Sequence, residues 1–239
     1  NMYLYFINNI IYIYIYRTMK IAIIITGDVR ECFVKNKLLE IFKEYDVFIG
    51  SYINHKKYIE SIGKNNYSYL INPETDIRLP DGIKKEHMQQ NMLQWLHMDN
   101  IINNFEDKLI KYDILLKYRF DYNINDKDFL NKIRVIPNIL YNDSDRMFYS
   151  ESLTFINIFK TFYAQLKDYT YHSNRNDDDN SFDTSWKSEP ALQLHLKNIN
   201  IHSKIINIGN IVRGSYNKEH ADGNKKLYID NIIQGKFTK

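Results

Sequence analysis

Residues 20–27 read KIAIIITG, an unbroken apolar run that closes on a threonine and a glycine. Apolar runs without alternation are typical of strands that are covered on both faces, as in parallel α/β sheets. A helical pattern of apolar residues follows over 34–42, and YDVFIGSY at 45–52 has the composition of a second buried strand. The opening of the chain therefore predicts a strand–helix–strand unit, the building block of a parallel sheet.

The rest of the chain continues this alternation of helices and strands. The further predicted elements are a long amphipathic helix (86–109), a strand (113–118), a short helix capped by Asn125 or Asp126, a short strand within 144–152, a helix (155–166), a helix that begins near Ser188, and a late strand, or strand and turn, within 204–214. Residues 65–82 read as a loop, with YSYLI inside it compatible with a short strand. We therefore predict an α/β fold with a mixed, mainly parallel sheet flanked by helices and a more irregular second half.

Composition limits the class of protein and its partners. The 239 residues are 44% hydrophobic and 26% charged, which suits one large packed domain, alone or with a small appendage. A formal charge of +3 is too weak to indicate a nucleic-acid partner, and no zinc spacing or RNA-recognition signature accompanies it. The single cysteine, Cys32, excludes an internal disulfide and fits a reducing compartment, so we expect a cytoplasmic protein.

The first eighteen residues form a separate, uncharged run that lasts until Arg17. The run is shorter than the roughly 20 apolar residues of a spanning helix, and Asn8 and Asn9 interrupt it, so no transmembrane span is expected. The chain restarts at Met19, which makes residues 1–18 a dispensable extension in our interpretation. An extra edge strand and a weak membrane-surface anchor are the alternatives. The heavy use of Ile, Asn, Lys and Tyr is typical of a low-GC genome.

Polar residues follow three of the predicted strands at the point where each strand ends. They are Gly27 to Arg30, Ser51 with Tyr52, and the tripeptide Arg119-Phe120-Asp121. Ligands of open α/β sheets bind beyond the carboxyl ends of the strands, so the three segments are expected to converge on one cleft. A buried arginine and aspartate at a strand end are costly unless something there needs them, and from the residues alone a structural ion pair is the favoured interpretation.

A series of motifs in fixed order resembles a group of bacterial and viral glycosyltransferase-like proteins that includes WavE-type lipopolysaccharide- and capsule-synthesis proteins. The motifs are KIAIIITGDVR, YDVFIGSY, NMLQWLHMDNIINNFE, YDILLKYRFD, SDRMFYS and WKSEPALQLHL…IVRG. The resemblance covers about residues 19–214. It implies a single GT-A-like domain with a nucleotide-binding half (19–125) and an acceptor half (126–239). It also implies a nucleotide-sugar donor and a glycan or other hydroxyl acceptor.

The resemblance makes R-F-D the counterpart of the D-x-D motif with which many GT-A enzymes hold a divalent cation. Here Arg119 stands at the first acidic position and Asp121 at the second. Asp121 is therefore a candidate ligand for Mn²⁺ or Mg²⁺, whereas Arg119 can clamp a phosphate by itself and replace part of the metal's work. The structural alternative is that Arg119 pairs with Asp121, or that either residue pairs with another charge nearby.

Four other residues are candidates for binding the donor. Thr26 and Gly27 would let the nucleotide approach the backbone closely, and Arg30 stands where a loop enters a helix, a position suited to a diphosphate. Arg213, near the late strand, is a further candidate phosphate contact. A surface position is the equally weighted alternative for Arg30.

Acidic residues in the second half supply the remaining candidates. Asp145 is included in the resemblance and is a candidate metal ligand, although a turn also explains the string Asp143-Ser144-Asp145. Helix capping explains Asp126-Lys127-Asp128. Glu189 is the candidate general base for the acceptor hydroxyl, with a favourable charge in the first turn of a helix as the alternative.

Two rival functions remain open at this stage. The missing first aspartate of D-x-D motivates a catalytically degenerate protein that binds a nucleotide or glycan without turnover. A different enzyme on a doubly wound fold, such as a phosphotransferase, is the other, and the absence of G-x-x-x-x-G-K-[ST] counts against a P-loop version. Trp95 and the histidines His195, His202 and His220 are expected to be core or surface residues.

Overall fold

The computed structural model describes most of the chain between residues 19 and 211. The described residues are 19–27, 42–60, 62–72, 76, 90–120, 122–124, 128–143, 145–166, 188–206 and 209–211. The predicted helix over 34–42 and the N-terminal extension therefore lie outside the described residues, apart from Phe42.

Nine strands and five α-helices make up the described part of the chain. The strands are β1 (Ile21–Thr26), β2 (Asp46–Tyr52), β3 (Asn65–Ile71), β4 (Ile114–Arg119), β5 (Tyr122–Ile124), β6 (Ile139–Asp143), β7 (Met147–Glu151), β8 (His202–Ile205) and β9 (Gly209–Ile211). The helices are α1 (Lys56–Ile59), α2 (Gln90–Leu109), α3 (Phe129–Lys132), α4 (Ser152–Phe162) and α5 (Ser188–Asn198). A short 3-10 helix (Ile53–His55) leads into α1.

Seven strands form one sheet in the order β3-β2-β1-β4-β7-β6-β8. The pairs β2–β3, β1–β2, β1–β4 and β6–β8 are parallel, whereas β7 runs antiparallel to both of its neighbours. Strands β5 and β9 pair antiparallel in a separate small sheet. The predicted fold class, a mixed and mainly parallel sheet flanked by helices, is confirmed.

Strand β1 is apolar throughout because side chains cover both faces of the sheet. All six of its residues are buried. Ile21, Ile23 and Ile25 point into one core cluster, while Ala22 and Ile24 point into the other, as the two-residue period of a strand requires. Helices α2, α4 and α5 cover the face that carries Ala22 and Ile24, which we call the α2 face. Residues near α1 and α3 cover the opposite face.

The structure corrects several element boundaries. Residues 65–71 form the edge strand β3 over seven residues, where the sequence favours a loop; its residues are mostly half-buried, so it lacks an unbroken apolar run. Arg119 lies inside β4 and not beyond it, because it pairs in register with Thr26 of β1. The helix predicted at 155–166 spans 152–162, and the late strand separates into β8 and β9 of different sheets.

The predicted cap of the short helix after residue 125 is wrong. The N-cap of α3 is Asp128, and its side chain makes no capping hydrogen bond. Two other expectations are confirmed: Trp95 is a core residue stacked on Phe159, and His195 is a core histidine whose Nε2 lies 2.8 Å from the carbonyl oxygen of Ile158. Among the described helices, none has the combination of length and apolar character needed to cross a membrane.

Candidate functional site

Several candidate residues meet at one edge of the large sheet, where β1, β2 and β4 end; we call it the carboxyl edge. Thr26 ends β1 and is the register partner of Arg119, which ends β4. Strand β7 is antiparallel to β4 and begins beside its end, since Met147 pairs with Tyr118. The turn between β6 and β7, which carries Asp145, therefore lies at the same edge.

Arg119 and Asp145 form an ion pair at the carboxyl edge. The Nη1 of Arg119 donates a hydrogen bond of 2.9 Å to Oδ2 of Asp145, and the side chains are 21% and 16% exposed. The structure thus brings together two of the predicted site residues. This pair also matches the structural alternative given above, in which Arg119 pairs with a nearby charge other than Asp121. Asp121, the other partner considered, lies outside the described residues.

Two buried side chains that sequence reasoning missed hold Asp145 from the core side. The Nζ of Lys117 donates to Oε1 of Gln94 at 2.9 Å and to the main-chain oxygen of Asp145 at 2.6 Å. Nε2 of Gln94 in turn donates to Oδ2 of Asp145 at 3.2 Å. Lys117, Gln94, Asp145 and Arg119 therefore form one continuous polar network, which we call the Lys117 network.

Lys117 is fully buried in the centre of the sheet. Its Nζ lies 5.5 Å from the ring centroid of Trp95 and 4.9 Å from that of Phe148, so aromatic faces as well as oxygen atoms surround it. A signal for it exists in the sequence, because a lysine interrupts an otherwise apolar strand two residues before Arg119. Residues two apart in a strand share a face, and both side chains extend from the α2 face.

The opposite face carries a second polar pair below the same turn. The hydroxyl of Tyr122 donates to Oδ2 of Asp143, whose Oδ1 lies 3.9 Å from Nη1 of Arg146. Burial, and then the hydrogen bond to Asp143, raise the pKa of Tyr122 well above its usual range. The N–H of Arg146 donates to the carbonyl of Asp143 at 3.2 Å, which confirms that a turn forms the string Asp143-Ser144-Asp145. The two aspartates of this turn therefore have different partners: Asp143 contacts Tyr122 and Arg146, whereas Asp145 contacts Arg119 and Gln94.

Backbone and hydroxyl hydrogen bonds fix the end of β1. The N–H of Gly27 donates to the carbonyl of Gly50 at 3.0 Å, and Oγ of Ser51 donates to the carbonyl of Gly27 at 2.7 Å. Gly27 has a φ of +114°, which favours glycine, and a Cβ placed there would meet no atom of the described residues within 4 Å, its chain neighbours aside. Oγ1 of Thr26 is buried beside it, and no described residue offers it a hydrogen bond.

Helix α2 contributes a buried histidine behind this edge. The His97 ring contacts the ring of Tyr52 with centroids 5.0 Å apart, and no described residue hydrogen-bonds either ring nitrogen. Burial, followed by the nearby His55, lowers the pKa of His97 to about 3. His97 is therefore a neutral ring at physiological pH.

Four predicted site residues cannot be placed against this geometry. Arg30, Asp121 and Arg213 lie outside the described residues. Glu189 is the second residue of α5, and its side chain is outside the described part of the structure. Their roles in diphosphate binding, metal binding and base catalysis stay predictions.

The described residues by themselves form no site for a divalent cation, and the candidate ligand Asp121 lies outside them. Within the described ranges, no group of three or more His, Cys, Asp or Glu side chains is arranged to hold a metal ion. Oδ2 of Asp145 accepts hydrogen bonds from both Arg119 and Gln94. The fixed charge that faces the carboxyl edge is the guanidinium of Arg119, which suits a phosphate better than a second cation.

Comparisons with known proteins identify no family by sequence: no family model matches the chain, and no curated protein matches it. Three of the solved structures that it is similar to are glycosyltransferases.

The apo structure of the bifunctional glycosyltransferase WbbM has a TM-score of 0.47 at 9% identity, over 80% of this chain and 39% of that one. A glycosyltransferase involved in the glycosylation of the major capsid of PBCV-1 has a TM-score of 0.43 at 12% identity, over 90% of this chain and 99% of that one. The glycosyltransferase GlyE of Streptococcus pneumoniae TIGR4 has a TM-score of 0.44 at 11% identity, over 91% of this chain and 52% of that one. The chain thus spans well under half of WbbM, and likeness at this level assigns neither a family nor an activity.

Proposed function

We propose that the protein is a glycosyltransferase that transfers a sugar from a nucleotide-sugar donor to a hydroxyl group of a glycan. The observation that carries this proposal is the Arg119–Asp145 pair at the carboxyl edge. The site lies where the strand order reverses. Strands β2 and β4 both come after β1 in the chain, but they lie on opposite sides of β1 in the sheet. In open α/β sheets this is the position at which ligands bind.

The chemistry of sugar transfer explains why a fixed guanidinium is useful there. The bond between the anomeric carbon and the diphosphate oxygen breaks, and its electron pair stays with the departing nucleoside diphosphate. A positive group that is already in place stabilises that charge without reorganising during the reaction. Asp145 orients the guanidinium plane of Arg119, and a planar fork can give a phosphate two parallel hydrogen bonds.

The end of β1 supplies a second feature that suits a diphosphate. No atom of the described residues, chain neighbours aside, occupies the place where a side chain of residue 27 would begin, which suits the close approach of a ligand to the backbone. Thr26 is the register neighbour of Arg119 and adds a buried hydroxyl. We assign Thr26, Gly27 and Arg119 to the donor. The parts proposed for Arg30, Asp121, Arg213 and Glu189 rest on the family resemblance.

Release of free nucleotide from a panel of nucleotide sugars, with glycan acceptors present, tests the proposal. Arg119→Lys keeps the charge but loses the planar fork, so turnover should fall by at least about tenfold while the melting temperature changes little. Arg134→Lys is the matched control, because Arg134 is exposed and donates to main-chain oxygens of Asn131 and Ile133 near α3. Normal turnover by a folded Arg119→Lys variant would remove Arg119 from the site.

A second candidate function is donor binding without turnover. It is favoured by one feature, the arginine that replaces the first aspartate of D-x-D at position 119. The same panel separates the two functions. Calorimetric binding of a nucleoside diphosphate that depends on Arg119, with no nucleotide released from any donor and acceptor, would select the binding protein. Absence of both binding and release would reject both functions.

A further inference from the structure

We propose that Lys117 is a positioning residue that holds the Arg119–Asp145 pair in its binding geometry through Gln94 and the backbone of Asp145. The inference rests on the proposed function, because it concerns the pair assigned to the diphosphate. Lys117 is fully buried, so it touches no ligand itself, and its described hydrogen bonds connect it to the carboxyl edge through Gln94 and the backbone of Asp145.

The hydrogen-bonding capacity of lysine fixes the orientation of the Gln94 amide. A lysine ammonium can donate hydrogen bonds but cannot accept them. The group of Gln94 that lies 2.9 Å from Nζ must therefore be its carbonyl oxygen, which turns the NH₂ group toward Oδ2 of Asp145. Without Lys117 the carbonyl oxygen of Gln94 would lose its buried donor, and the amide would be held by its hydrogen bond to Asp145 with its oxygen unsatisfied.

Lys117 also fixes the turn that carries Asp145. Its second hydrogen bond, of 2.6 Å, goes to the main-chain oxygen of Asp145. The carboxylate and the backbone of Asp145 are thus both tied to β4, the strand that ends in Arg119. Arg119 and Asp145 are 26 residues apart in the chain, and Lys117 links the two segments within the core.

Stability alone does not account for a lysine at this position. Neighbouring residues of the strand are apolar and equally buried, and an apolar residue would fill the site without the cost of desolvating an amino group. A buried lysine whose donors reach Gln94 and Asp145 instead gives those groups one defined arrangement. Such supporting groups set the geometry of the side chains that contact a ligand.

A double-mutant cycle on ligand binding tests this role. Inorganic pyrophosphate and uridine diphosphate are titrated calorimetrically into wild type, Lys117→Met, Arg119→Met and the double variant. Lys117→Met should weaken binding by roughly tenfold or more in the Arg119 background, as expected when a charged hydrogen bond is lost, and should have no further effect in the Arg119→Met background. Equal losses in both backgrounds would overturn the inference, because Lys117 would then act independently of Arg119.

Two further variants separate positioning from a general loss of stability. Gln94→Glu still offers Lys117 an acceptor but places a second carboxylate oxygen against Asp145, so it should weaken binding even if Lys117→Met does not fold. Lys108→Met is the matched control, since Lys108 is an exposed lysine whose Nζ lies 4.0 Å from the ring centroid of Tyr67, and it should bind as wild type does. Unchanged binding by folded Gln94→Glu would overturn the proposed route.

A measurement without ligand keeps the inference testable if the proposed function fails. If wild type binds neither probe, the assignment of Arg119 to a diphosphate is wrong. Crystal structures of Lys117→Met, or of Gln94→Glu, then decide the positioning role by themselves. The distance from Arg119 Nη1 to Asp145 Oδ2, now 2.9 Å, should exceed hydrogen-bonding range. An unchanged pair in these variants would overturn the inference.

Discussion

A Cβ atom added to Gly50 would lie 2.8 Å from both the Cβ and the carbonyl oxygen of His97. Helix α2 therefore rests directly on the backbone of β2 at this point. Gln94 precedes His97 by three residues and shares its side of the helix. The close approach at Gly50 thus sets the depth at which α2 lies on the sheet, and with it the reach of Gln94 toward Lys117.

Replacing Gly50 by alanine should destabilise the protein by about 1–3 kcal/mol, because the new methyl group overlaps backbone as well as side chain. The denaturant midpoint measures this loss. Combining Gly50→Ala with His97→Ala should not relieve it, since alanine keeps both the Cβ and the carbonyl oxygen that are contacted. Recovery of wild-type stability in that double variant would show that the imidazole ring causes the overlap.

Gly27→Ala should act by a different mechanism. A Cβ at Gly27 meets no atom of the described residues within 4 Å, chain neighbours aside, so we attribute the cost to forcing a side chain into a φ of +114°, about 1–3 kcal/mol. Gly27→Ala should therefore lower stability without moving α2. Gly50→Ala should instead alter the hydrogen-exchange rates of α2 amides near His97. Equal exchange changes in both variants would contradict the assigned causes.

The buried His97 should make stability fall with acidity. Burial and His55 lower its folded-state pKa to about 3, whereas the unfolded chain binds the proton near pH 6.5. The contribution is therefore complete above about pH 6.5 and is lost as pH falls toward 3. Between pH 7 and pH 5, wild type should lose about 2 kcal/mol more than a variant that lacks the titrating ring.

Urea unfolding at the two pH values, for wild type, His97→Leu and His97→Gln, measures this contribution. The two replacements differ in polarity and will differ in absolute stability. Both remove the proton-binding ring, so both should reduce the pH-dependent loss by the same amount. A variant that keeps the full wild-type loss would assign that loss to other titrating groups of the protein.

Much of the fold is predictable because β1, β2 and β4 are covered on both faces and so are mainly apolar, without the alternation of a half-exposed strand. The half-buried edge strand β3 and the short strand β5 lack that signal. Strand β6 is missed because it ends in polar Asn142 and Asp143, and because one of its two partners, β8, comes from a distant part of the chain. Long-range strand pairing, which no local pattern encodes, places these elements.

The site is predictable in part for the same reason. The strand end identifies Arg119, since a charged residue closes a buried run. Its partner Asp145 reaches it through the antiparallel pairing of β4 with β7, which local patterns do not give. Lys117 and Gln94 are missed because each is a single polar residue in its element. The apolar residues of β4 and of α2 are enough to predict the strand and the helix without them.

Tyr122→Phe should destabilise the fold by about 1–3 kcal/mol, because it removes the hydroxyl that donates to the buried carboxylate of Asp143. Adding Asp143→Asn should recover part of the loss, since a neutral amide is less costly to bury than a carboxylate. Urea unfolding of the single and double variants measures the coupling. Strictly additive losses would mean that the two side chains contribute independently. The pair lies on the face opposite to Arg119, so pyrophosphate affinity should be retained.

Removal of divalent cations should leave most of the proposed turnover intact. The family resemblance makes Arg119 the counterpart of the first aspartate of D-x-D, and Asp145 already accepts hydrogen bonds from Arg119 and Gln94. Under the proposed function, the arginine therefore supplies the charge that a metal would otherwise bring. Nucleotide release, detected directly by chromatography, is compared in EDTA and in added Mn²⁺ or Mg²⁺ for wild type and Arg119→Met. Wild type should lose less than about tenfold in EDTA, whereas Arg119→Met should stay inactive in either ion. Complete loss in EDTA with recovery on Mn²⁺ would instead place a cation at the diphosphate. Asp121→Asn and Asp145→Asn would then be the variants expected to weaken its binding.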